Sequence, residues 1–520
     1  MAKIYQLSLP LNTAVLIPDD SPVRTLAEVL NQLDYTPIYQ DINRNGRPPY
    51  DPQTLVKVII YGYMNQIYSS RKIEEACKRD LHFIWLLEGR NAPDHNTISR
   101  FRQKLEDFIE ELFFQFVVKL GQMGEISYEN LFVDGSKLEA NANKYTFVWR
   151  KAVTKHEQRL QIKIKEFINN INQSYGFQYS CEQEKVTVEQ LKNIKRSLME
   201  VKRCENIEYV YGKGKRKTSL QKDAELLDEY LEKQQKYDDF KSTFKGRNSF
   251  SKTDKDATFM RMKDDHMKNA QLKPGYNAQL AVEGEYIVGA DISSERSDQL
   301  TFVPFMEKLK SNLPQKHKNI VADSGYESEE NYTYLESENQ NAYIKPTTYN
   351  QINKKRFKDQ IGRRENMLYD EELDQYICQN GKVLSPLTTT SRKSKSGYTS
   401  KVQIYESENC SGCKLKDKCK KSKGDKRLYV AKDFLRQREK SLKNIQTPLG
   451  KKLRMNRSIQ VEGAFGIIKE DYGFRKFLSR GEKNVKTEFL LLCFGFNLNK
   501  LNRKGLRKKK GVTLHELKSA

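Results

Sequence analysis

No stretch of about 18 apolar residues occurs in this 520-residue chain, so no membrane-spanning helix is predicted. The N-terminus, MAKIYQLSLPLNTAVLIPDDS, lacks the basic start, long apolar core and small-residue cleavage site of a signal peptide. A cytoplasmic protein is expected. Cysteine is scarce: eight residues, mostly scattered, exclude a disulfide scaffold in a chain this long. Histidine is scarcer still, at six. His95 falls near a helix start; neither it nor His266 is assigned to catalysis. Acid is short relative to base, which leaves a net charge of +24 and a pI near 9.4. That excess favours polyanions, a lysine-rich solubilising surface being the alternative. Clustering favours nucleic acid: RKGLRKKKG, KLKDKCKKSKGDKR and KRFKDQIGRR are local runs.

What is present is patterned. Residues 1–125 read as helical. Pro52 suits a first helical turn, and Leu55, Ile59 and Tyr63 share a face. Ser69 and Ser70 open a second helix. Ile98, Phe101, Leu105, Phe108 and Leu112 recur at three and four, which predicts one continuous third helix. Arg100, Arg102 and Lys104 lie on its other face. Short helices carrying basic residues fit a helix-turn-helix-like DNA reader, or a helical bundle with a solvated basic face.

Residues 126–150 hold a strand and a turn, and residues 151–250 are charged and helical. There Leu191, Ile194, Leu198 and Val201 predict one seam of a coiled-coil-like hairpin with little core of its own, GKGKRKTS being the loop between its arms. Residues 251–349 alternate between strands and helices, including a pair of strands around Glu283-Gly284, as in a mixed α/β sheet. Residues 350–435 are polar and strand-like, and residues 436–520 are helical with a basic end.

Three acids stand out. In LFVDGS, Asp134 is expected to end a short buried strand, with a tight turn at Gly135. IVADSGY places Asp323 the same way. Neighbouring strand ends would bring two carboxylates together, and their repulsion is relieved by a cation such as Mg²⁺. Glu462 lies on a helix among Val461, Phe465 and Ile468, with Arg457 before it and Lys469 two turns after. Alone, Glu462 would read as an ordinary salt-bridged surface residue. Asp291 and Asp298 also lie near a strand end; each reads as a solvated loop residue, with an acid supporting the site from behind as the alternative. A separate group, Cys378, Cys410, Cys413 and Cys419, has the spacing of a structural zinc site or of reduced free thiols.

These stretches, together with GRPPYDPQTLVKVIIYGY, RNAPDHNTISRFR and RSIQVEGAFGIIKEDYGFRKFLSRG, resemble the DDE transposases of bacterial insertion sequences. The broad class includes the IS4 and IS5 groups, and the chain looks most like the IS1182 group. The resemblance spans nearly the whole chain. It implies an RNase H-like α/β core, a helical N-terminal DNA-binding domain, a helical insertion and a β-rich insertion. It implies that Asp134, Asp323 and Glu462 bind Mg²⁺ or Mn²⁺, as a pair of ions, and that Arg100, Arg102, Lys104, Arg457 and Lys469 serve DNA.

One departure stands. The related IS4 pattern sets a Tyr seven and an Arg four residues before the Glu; here those positions are Met455 and Ser458, and Arg454 and Arg457 are each displaced by one. The implied reaction is cleavage at terminal inverted repeats and joining of the freed 3′-OH to target DNA. The implied partners are double-stranded DNA and a second copy of the chain, in the cytoplasm on the nucleoid. The alternatives are a nuclease on the same fold that does not join strands, and an inactive DNA-binding derivative.

Overall fold

The computed structural model describes residues 13–41, 50–180, 183–212, 214–262, 270–507 and 511–516. His266 and part of the basic C-terminal run lie outside the described residues. No helix among the described residues is long and apolar enough to cross a membrane. The chain forms two units, one of residues 1–138 with 277–520 and the other of residues 139–276. In chain order the strands are β1 (Asn130–Glu139), β2 (Phe147–Trp149), β3 (Ser249–Ser251), β4 (Thr258–Arg261), β5 (Leu272–Glu283), β6 (Tyr286–Ser293), β7 (Asn319–Ala322) and β8 (Asn341–Ile344). A polar region follows with β9 (Leu368–Asp370), β10 (Gln375–Ile377), β11 (Val383–Lys393), β12 (Thr399–Ser407) and β13 (Arg427–Val430).

The first unit opens with short helices around Pro52–Met64. Asp51 caps that helix, its Oδ2 accepting from Thr54 N at 2.8 Å, and Pro52 takes the first turn as predicted. Every residue given a burial class from Thr54 to Met64 is buried, Lys57 included, which makes it a central helix rather than an amphipathic one. It packs on the C-terminal helix Glu482–Leu506. The crossing is close because a Cβ on Gly495 would come within 3.0 Å of Met64 N.

The predicted third helix is two. His95–Lys104 ends in a 3-10 turn over Leu105–Asp107, and Ile109–Gln122 begins anew after Phe108, whose φ is −124°. A 3-10 turn spaces side chains by three, so the apolar rhythm passes through the break undisturbed and hides it in the sequence.

The main sheet runs β5-β1-β7-β8, with β6 beside β5. β1, β7 and β8 are parallel, and β5 and β6 form an antiparallel hairpin. The hairpin turn centres on Gly284 and Glu285, both at positive φ, one residue beyond the predicted centre. The helix Asp298–Asn312 follows β6 and Glu329–Ser337 follows β7. The architecture is therefore mixed α/β. In the same unit the polar region folds as a five-stranded antiparallel sheet, β13-β12-β11-β10-β9, over a small core that includes Tyr376, Leu384 and Tyr405.

The second unit corrects the expectation of a two-armed hairpin. It holds three long helices, Arg150–Tyr175, Val188–Cys204 and Ser219–Phe244. They bury a core of their own: Leu160, Ile164, Phe167, Ile168 and Ile171 meet Leu191, Ile194, Leu198, Leu220 and Leu227. The seam read on the middle helix is real, but it has two partners. A capping box at Thr187 and Gln190 starts that helix.

Candidate active site

The register of β1 against β7 builds the centre of the site. Val133 lies opposite Ala322 in a parallel pair, and the pairing stops there. The next residue on each strand is an acid, so Asp134 and Asp323 emerge side by side. β1 itself does not end at Asp134. It continues to Glu139, which replaces the tight turn expected at Gly135. Asp134 is thus the point where β1 loses its neighbour β7 while the strand runs on. Asp323 leaves β7 directly into a short 3-10 turn, and its Oδ1 accepts from Gly325 N at 2.7 Å.

Glu462 arrives from the helical segment that begins at Pro448–Arg457. That helix passes into a π turn over Ser458–Glu462. An α-helix with 3.6 residues per turn would set residues five apart at about 140° around the axis. A π turn bonds i to i+5 and brings them to one side. Arg457 and Glu462 are five apart, and Arg457 Nη2 donates to Glu462 Oε1 at 2.5 Å. Its Nη1 donates to Asp134 Oδ2 at 3.2 Å. The wide turn thereby absorbs the one-residue displacement of Arg457 noted in the sequence. A second π turn covers Ile467–Asp471 and carries the half-buried Lys469.

The guanidinium bridges two of the three acids, and the third lies beside the first. Burial pushes the Asp134 carboxyl up to about 6; Arg457 pulls against it, and the Asp323 and Glu462 charges add to it. Tyr326 is fully buried beneath, and its phenol is pushed well up by burial and then by Asp298, Asp134 and Asp323.

The other candidates fall in several places. Arg100 is exposed, and Lys104 pairs with Asp41 at 3.5 Å. Arg102 turns inward and donates to Tyr68 O at 2.8 Å. His95 opens its helix as read, with its ring on Glu74 at 2.7 Å. Asp291 is no solvated loop residue: Lys308 Nζ holds it at 2.6 Å. Asp298 is likewise half-buried and held by the Asn277 and Gln279 amides at 2.7 and 3.3 Å. The supporting role was the lesser of the two readings offered for each, because their partners come from other elements.

Cys378 sits in the β10–β11 turn, and Cys410, Cys413 and Cys419 in the β12–β13 connection. Leu384 pairs with Ser407, so both turns lie at one end of the sheet. Lys426 N donates to Cys410 Sγ at 3.4 Å. Burial raises the Cys419 thiol, Lys426 opposes, and the other three cysteines add to the rise. Among the described residues, no three His, Cys, Asp or Glu side chains stand close enough together to hold a metal ion.

Two family models match the chain. Residues 377–502 match a Transposase DDE domain, a span that holds Arg457, Glu462, Lys469 and the four grouped cysteines. Residues 12–104 match a Transposase domain (DUF772), a span that holds Arg100, Arg102 and Lys104. The pair of matches indicates a DDE transposase of the IS1182 type. Members of such families transpose DNA by cleaving and joining it. No curated protein matches the chain.

Proposed function

We propose that this transposase cuts at the terminal inverted repeats of its own element and joins the freed 3′-OH ends to target DNA. The observation that carries the reading is that Arg457 joins Asp134 to Glu462 while the β1–β7 register sets Asp323 beside Asp134. The strand order β6-β5-β1-β7-β8 is the support for an RNase H-like core.

The donor set suits a hard divalent cation: three carboxylates, no sulfur or imidazole among them, with a positive group already resting between two. Mg²⁺ or Mn²⁺ held by Asp134, Asp323 and Glu462, as a pair of ions, would supply charge stabilisation for in-line displacement at phosphorus. The chain's own residues do the rest. The β1 and β7 backbones fix the two Asp carboxylates in register. Arg457, freed from Asp134 and Glu462, is placed to pair with a phosphate as a planar fork, and Lys469 to pair as a point charge. Asp134 enters at neutral pH largely ionised, because its raised value of about 6 still lies below 7.

The other assignments follow the same reading. Residues 1–125, with Arg100, Arg102 and Lys104, bind DNA; the four cysteines take a structural zinc that draws the two turns together. Two chains act on two ends as a homodimer. Residues 126–150 and 251–349 form the core with the C-terminal segment 436–520, and residues 151–250 and 350–435 are insertions.

The deciding experiment incubates the protein with Mg²⁺ and labelled DNA from the flanks of its own gene, with end mapping. Nicks at the element's ends, and joining of pre-cleaved ends to a target plasmid, are expected. Cutting without joining would leave the nuclease reading; binding without cutting would leave the inactive derivative.

A further inference from the structure

Asp298 opens the Asp298–Asn312 helix, and its carboxylate lies against both glycines that accompany the strand-end acids. A Cβ added at Gly135 would stand 2.7 Å from Asp298 Oδ1. One added at Gly325 would stand 3.2 Å from Asp298 Oδ2 and 2.9 Å from Asp323 Oδ1. The two carboxylates therefore both border the place of one absent side chain. Both glycines are needed for this approach, since any side chain would fill the space between the acids.

A second observation points to a ligand. Asn277 is 1% exposed. Its Nδ2 donates to Asp298 Oδ1 at 2.7 Å, while its Oδ1 has no partner among the described residues. The amide cannot be turned over, because that would set its oxygen against the carboxylate. A buried carbonyl left unpaired costs about 1–3 kcal/mol, and such groups are regularly completed by a water or an ion. Gln279 and Tyr326 hold the arrangement from below. Gln279 Nε2 donates to Asp298 Oδ1 at 3.3 Å, and the Tyr326 hydroxyl donates to Gln279 Oε1 at 2.5 Å. The available donors are two carboxylates and an amide oxygen, all hard.

We infer that Asp298 is a fourth acidic member of the site: with Asp323 and the unpaired Asn277 oxygen it takes a divalent cation of the Mg²⁺ class. This rests on the reading of Asp134 and Asp323 as cation-binding acids. The contrasting role is a brace that merely packs against the two glycines.

The test titrates Mn²⁺ into the metal-free full-length chain by calorimetry, for the wild type, Asp298→Asn and Asp134→Asn. Asp298→Asn keeps the shape and the Asn277 bond. It is expected to lose one bound Mn²⁺ or to weaken it at least about tenfold, with the melting temperature of the metal-free protein unchanged. Wild-type Mn²⁺ binding by Asp298→Asn, with Asp134→Asn impaired, overturns this inference alone. Wild-type binding by both variants overturns the underlying metal reading as well. Iron-promoted backbone cleavage of the wild-type chain requires no variant to fold. Cuts beside residues 298 and 277 support the inference, and cuts confined to the neighbourhoods of 134, 323 and 462 overturn it.

Discussion

Replacing Glu283 by Gln should loosen the segment that sets the register of β1. Glu283 ends β5 and is 1% exposed. Its Oε1 accepts from Ser127 N at 3.1 Å, Ser127 Oγ at 2.6 Å and Glu129 N at 3.3 Å. Its Oε2 accepts from Tyr128 N at 3.1 Å and meets His317 Nε2 at 3.0 Å. These donors immediately precede Asn130, where β1 begins, so one carboxylate pins the strand that delivers Asp134. A glutamine carbonyl could serve the first three donors. Its NH₂ would then face the Tyr128 N–H, a buried donor left unpaired. At about 1–3 kcal/mol for a buried unsatisfied donor, the loss is a large share of a typical folding free energy.

The sign with pH follows. His317 and the Ser127 donors outweigh the burial penalty and hold the Glu283 carboxyl below its ordinary 4.5. Its stabilisation is therefore full above pH 4.5 and is lost as pH falls through the lowered folded value. Glutamine does not titrate. In urea unfolding, the gap between wild type and Glu283→Gln should be present at pH 7 and should shrink as the pH drops below about 4. Equal stability at pH 7, or a gap that persists undiminished in acid, would refute the reasoning.

Four further outcomes are expected. Asp134→Asn, Asp323→Asn and Glu462→Gln should each cut strand cleavage by about 10²–10³ or more while end-DNA binding, read by gel shift, persists; any one cleaving at the wild-type rate removes that residue from the site. Arg457→Met leaves two acids without their shared cation and should destabilise the metal-free protein by about 1–3 kcal/mol, an effect that an unchanged melt would contradict. Protein purified without chelator should contain about one zinc per chain, lost in Cys413→Ser, and elemental analysis without zinc ends that assignment. Leu198→Ala empties a fully buried position in the three-helix core and should cost about 2–5 kcal/mol, seen as faster hydrogen exchange across residues 188–204.

Much of the centre was legible because strand-end acids follow uninterrupted apolar runs. Leu131–Val133 and Ile320–Ala322 are buried in full, and the sequence marks both. The Ser458–Glu462 π turn was not legible, since nothing in SIQVE separates one extra residue in a helix from a regular turn. Asp298 could be named but not given partners, because Asn277 and Gln279 meet it only in the folded chain. The third helix of the second unit escaped for a similar reason: its apolar residues complete a core whose other walls are distant in sequence. The break at Leu105–Asp107 was masked by a periodicity that two helix types share.

The wide turn before Glu462 has a consequence for the pocket. An added residue within a helix normally rotates everything downstream and would scatter a pocket. Here the surplus is swallowed locally, so the partners on either side still meet although their spacing has drifted. The bond from Arg457 to Glu462 is thus kept across five residues, where a regular helix would have turned the two apart.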